Sequence, residues 1–96
     1  MRILVNIDVP DLEQAIAFYQ DAFGLVLHRR LGPQAAEMLG ATAPVYLLEK
    51  ATGTPAAGSV RQPRNYARHW TPVHLDVVVC LLYTSDAADE RSSVGL

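Results

Sequence analysis

Apolar and polar residues alternate from residue 2 to residue 9. Ile3, Val5, Ile7 and Val9 fall on one face, and Arg2, Leu4, Asn6 and Asp8 on the other. Period two predicts a strand with one dry face and one mixed face. Pro10 then removes a backbone donor, and Asp11 is a good helix N-cap with Gln14 three residues on. From residue 12 to 23 the period changes. Leu12, Ala15, Ile16, Tyr19, Ala22 and Phe23 form one stripe, with Glu13, Gln14, Gln20 and Asp21 opposite, which predicts an amphipathic helix. Gly24 suits a left-handed cap at its end. Residues 25–31 read as a second strand with Leu25, Leu27, Arg29 and Leu31 on one face, closed by the Gly32-Pro33 turn signal. Residues 35–39 read two ways. Propensity favours a helical turn, and the spacing between turn signals permits a short strand. Residues 45–50 predict a strand with Val45, Leu47 and Glu49 on one side and Tyr46, Leu48 and Lys50 on the other. Residues 51–72 form a long connection rich in Ala, Gly, Pro and Thr and then in Arg. Residues 73–79 predict a last strand with His74, Asp76 and Val78 sharing a face.

Composition narrows the class. The chain has 96 residues, half of them apolar and 19% charged. That suits one small α+β domain and excludes a disordered chain or two independent domains. No apolar run reaches the roughly 20 residues of a membrane span, and the start lacks a signal-peptide pattern, so a cytoplasmic protein without a membrane partner is expected. The single cysteine, Cys80, excludes an internal disulfide framework. Net charge is −2, and residues 1–79 are balanced, so the excess lies in Asp86, Asp89 and Glu90 against Arg91. A neutral body gives no electrostatic footprint for nucleic acid.

Residues 3–9 and 73–79 match as a weak repeat: odd positions are apolar in both, Asn6 meets Asp76 and Leu4 meets His74. The order of a strand, the helix Asp-Leu-Glu-Gln-Ala-Ile-Ala-Phe-Tyr at 11–19, Phe-Gly-Leu at 23–25 and then further strands resembles the vicinal oxygen chelate superfamily. That group includes glyoxalase I, bleomycin-resistance proteins and extradiol dioxygenases. The resemblance implies a βαβββ module at residues 1–50, an inter-module linker at 51–72 and the first strand of a second, truncated module at 73–79. Residues 80–96 do not share it. Residues 80–90 resemble a translated transposon-end adapter of the kind used in sequencing libraries, so 80–96 are expected to be a non-native tail.

The resemblance also implies chemistry. Two modules enclose one cup, and members that bind a divalent metal (Fe, Mn, Zn or Ni) take a His or Gln from the first strand of a module and an acid from its last. Residue by residue, His74 matches the first position of the second module. Leu4 stands at that position in the first and cannot ligate. The acidic position falls near Leu47, with Glu49 two residues on and on the same face. The expected metal ligands are therefore His74 and Glu49. Asn6, Tyr46, Asp76 and Trp70 are the candidates for contacting a small-molecule substrate. Each has a plainer role available: His74 a strand histidine bonded to Asp76 or water, Glu49 a solvated strand end beside Lys50, Tyr46 a core residue, Trp70 a packed anchor in the linker. His28-Arg29-Arg30 reads as a charged strand edge. No catalytic side chain or organic cofactor is assigned. Two functions follow: a metal-dependent lyase, isomerase or dioxygenase acting on vicinal oxygens, or a metal-free protein that binds or sequesters an apolar or aromatic ligand. Leu4 favours the second. A homodimer is expected for the full-length protein. The functional expectation assumes that the opening segment and the His74 segment line one hollow with their even-numbered side chains.

Overall fold

A computed structural model describes residues 1–58, 60–80 and 91–95. Its centre is β1 (Val5–Val9), α1 (Leu12–Phe23), β2 (Val26–Arg30), β3 (Ala35–Leu39) and β4 (Val45–Glu49). The four strands form one sheet in the order β1-β4-β3-β2, with α1 packed on one face. β1 runs parallel to β4, and β4, β3 and β2 are antiparallel neighbours. This is the α+β arrangement of one βαβββ module.

The helix forms where its stripe predicts. Asp11, in extended conformation, accepts from the Gln14 N–H, and Gly24 closes the other end at φ 68°. Leu12 and Ile16 are buried, and Ala15, Tyr19 and Phe23 pack beside them. Ala22 is exposed, so the stripe is narrower than its spacing suggests. The sheet meets the helix with Val9, Leu47, Ala36 and Met38, the last three having no accessible surface. Each large side chain of this set contributes roughly 1.5–3 kcal/mol when fully buried.

Two boundaries differ from the sequence pattern, and one open choice is settled. β1 begins at Val5; Ile3 and Leu4 are 68% and 48% exposed and precede the strand. Its register starts at Val5 opposite Val45, so the residues before it have no sheet to join. Residues 35–39 are a strand: β3 lies between β2 and β4, and pairing on both sides outweighs the helical propensity of Ala, Glu, Met and Leu. The last strand, expected from residue 73, begins at Asp76, which leaves Val73 and His74 outside it.

β2 also departs from simple alternation. Leu27 pairs with Met38, but Arg29 pairs with Glu37, because the register shifts at His28. One extra residue in a strand turns the following side chains over. Leu27 therefore sits on the helix side and Arg29 on the other, where alternation places them together. Arg30 is returned to the helix side, where its guanidinium donates twice to Glu13, at 2.6 and 2.8 Å.

The long connection is not featureless. Residues 51–72 contain a hairpin, β5 (Pro55–Ala57) and β6 (Val60–Pro63). Arg64, just after it, donates from Nε to Asp8 Oδ2 at 2.8 Å and from Nη1 to Thr54 Oγ1 at 3.1 Å. One half-buried guanidinium thus ties the hairpin to β1. β7 (Asp76–Cys80) pairs antiparallel with β8 (Arg91–Gly95) in a separate two-stranded sheet. The expected tail falls partly on residues 81–90 and 96, which lie outside the described residues. No helix among the described residues is long and apolar enough to cross a membrane.

Candidate functional site

The sheet offers two faces with different chemistry. On the helix side, Val5, Ile7 and Val45 of the sheet, Tyr19 and Phe23 of α1 and the loop after Gly40 surround a cavity of about 520 Å³. Leu75, Asp76, Val77 and Val78 close its far wall. The size is that of a small-molecule pocket, and so is the character: mostly apolar, with a few polar groups. Tyr19 and Phe23 stack at a tilt, with ring centroids 5.8 Å apart. Burial pushes the Tyr19 phenol pKa up, so it stays a neutral wall. Asp76 is exposed and supplies a carboxylate at the wall.

The opposite, open face carries a polar row. Asn6, Tyr46, Glu37 and Arg29 occupy register positions across all four strands, β1 to β2. Glu37 is the centre of this row and is buried. Its Oε1 bonds His28 Nδ1 at 2.6 Å and accepts from Arg29 Nε at 3.0 Å, and its Oε2 accepts from the Tyr46 hydroxyl. The Tyr46 hydroxyl, then His28, then Arg29, hold the Glu37 carboxyl down at about 2 against the cost of burial. Arg29 is held above its usual range by the same carboxylate. Sequence reasoning missed Glu37. It sits in the one segment whose periodicity did not choose between helix and strand, so no face could be assigned to it.

The anticipated site residues are dispersed. Asn6 and Tyr46 are neighbours on the open face, where Asn6 is exposed and Tyr46 is committed to Glu37. Asp76 lines the cavity on the other side of the sheet. Trp70 is 77% exposed and packs as no anchor. His74 is exposed and lies before β7. Glu49 accepts from the Leu12 N–H through Oε1 at 3.1 Å, so its carboxylate caps the start of α1. The shared hollow anticipated for β1 and the His74 segment takes a different form. The two belong to separate sheets, and β1 turns its odd-numbered residues, Val5 and Ile7, toward the cavity. The reason is the helix: it covers the odd face of β1, and the cavity opens along that same face.

Among the described residues the anticipated donors do not come together as a divalent-metal site. Leu4 has no donor, Glu49 is committed to the helix, and His74 stands apart. Among the described residues no three His, Cys, Asp or Glu side chains converge.

One helix on a mixed four-stranded sheet, in this chain order, is the module of the vicinal oxygen chelate superfamily. A family model of the glyoxalase-like domain matches residues 4–95, and the chain belongs to that family. The match runs through β8. No curated protein and no solved structure matches the chain.

Proposed function

We propose that this protein binds an apolar or aromatic small molecule in the cavity beside α1, without a metal held by its own side chains. The observation that carries the reading is the cavity wall itself: the Tyr19–Phe23 pair and three aliphatic side chains of the sheet, with Asp76 the one charged group among the described residues. Apolar ligands gain about 25 cal/mol for each Å² removed from water, and a wall of this kind supplies that without ordering new polar partners. Asp76 suits a hydroxyl or amine on the ligand. A metal-dependent lyase, isomerase or dioxygenase would need ligands beyond His74 and Glu49, so sequestration is the better reading.

The test is fluorescence titration with the neutral probe N-phenyl-1-naphthylamine. Saturable binding at one site is expected. Phe23→Ala should weaken it at least fivefold, and Asn6→Ala, on the opposite face, should not. Equal effects of the two variants, or none, would contradict the cavity as the site.

Two further expectations belong to this reading. β1 is an edge of its sheet, pairing only with β4 among the described residues, and a second copy could add there; equilibrium sedimentation should then show a dimer. The non-native reading of residues 80–96 predicts that the source DNA diverges from the coding sequence at the Cys80 codon.

A further inference from the structure

The cavity leaves unused the cluster on the open face. Glu37 engages both neighbours through their inner atoms: Nδ1 of His28 and Nε of Arg29. With Nδ1 turned to the carboxylate, Nε2 is the imidazole atom left for another partner. Neither Nε2 nor the two Nη atoms of Arg29 make a well-formed hydrogen bond among the described residues; the Arg29 guanidinium also lies beside the Tyr46 hydroxyl, and the His28 and Arg29 side chains are 56% and 57% exposed. A buried carboxylate thus fixes two outward-pointing donors side by side on one strand. Only the outer atoms remain to be satisfied.

We propose that His28 and Arg29 form a binding site for the oxyanion group of a small molecule, a carboxylate or a phosphate, with Glu37 as the positioning residue. Arginine's planar fork matches such groups with two parallel bonds, and a fork already tethered at Nε loses little rotamer freedom on binding. Charge sets the second requirement. Glu37 cancels Arg29, so an anion meets net positive charge only with an imidazolium at His28. An Nε2–H of that imidazolium then donates to the oxyanion. The charged groups facing the imidazole are Arg29 on its own strand and Glu37 on β3, with the Tyr46 hydroxyl of β4 reaching it through Glu37. Arg30 is held on the far side by Glu13. The site is independent of the cavity, from which the sheet separates it.

The experiment titrates the full chain with inorganic phosphate, and separately with acetate, at ionic strength held constant with chloride. The His28 ring resonances are followed by NMR, and the affinity is read by calorimetry. Expected are a saturable shift and at least a tenfold loss of affinity in Arg29→Gln and in His28→Gln. Tighter phosphate assigns a phosphate-bearing ligand, and tighter acetate a carboxylate. Arg29→Lys keeps the charge but not the fork, and serves if the glutamine variant does not fold; it too should weaken binding. Shifts that chloride reproduces, or affinity unchanged in Arg29→Lys and His28→Gln, would overturn the proposal. N-phenyl-1-naphthylamine binding should persist in all three variants, so failure here is distinct from failure of the cavity.

Discussion

Three donors converge on one carboxylate at Glu37, and that has consequences for acid stability. Its carboxyl titrates at about 2 when folded against an ordinary 4.5. A depressed folded value means stability that is present above about 4.5 and lost as pH falls toward 2. Urea midpoints measured between pH 7 and 2.5 should therefore fall less steeply in Glu37→Gln than in the unsubstituted chain. Tyr46→Phe removes the largest cause of the depression, so the Glu37 carboxyl resonance should titrate at higher pH in that variant. Glu49 is a contrasting case. Its carboxylate satisfies the first amide of α1, and Glu49→Ala should cost about 1 kcal/mol of unfolding free energy by urea titration. Neither role could be read from spacing. Glu49 alternates correctly with Leu47, but its partner at Leu12 is distant in sequence, and only the packing of α1 on β4 brings them together.

At the level of elements, α1 was legible because its signals agree. Cap, stripe and terminal glycine are all local, and all three hold in the structure. Gly24→Ala should cost about 1 kcal/mol by the same titration, from backbone strain alone, since the left-handed φ disfavours a Cβ and nothing lies within 4 Å of where it would stand. β2 was legible as a strand but not in its faces. A single-residue bulge at His28 reverses Arg29, and no residue type announces a bulge of this kind. β3 depended wholly on its neighbours, since a lone segment of Ala, Ala, Glu, Met and Leu has no strand preference of its own. The hairpin in 51–72 hangs on Arg64. Arg64→Ala should raise amide exchange in β5 and β6 while leaving α1 protected, because the guanidinium bonds Asp8 on one side and Thr54 on the other.

For the whole molecule, the family's strand–helix–strand order was visible in the sequence, and the site was only partly so. Asp76 lies on a cavity wall and Asn6 and Tyr46 on the open face; the opening segment and the 73–79 segment do line one hollow, but through Val5, Ile7 and residues 75–78 and not through Leu4 and His74. Alternation tells which residues share a face of a strand. It cannot tell which face a helix will cover, and here α1 takes the odd side of β1 and places the cavity with it. The functional account reduces to apolar capture by that cavity with no metal required. Its most direct test is the affinity for N-phenyl-1-naphthylamine measured after exhaustive chelation and again with excess Mn²⁺, Ni²⁺ or Zn²⁺. One unchanged dissociation constant in all four conditions is the predicted result, and affinity abolished by chelation and restored by one of these ions would contradict it.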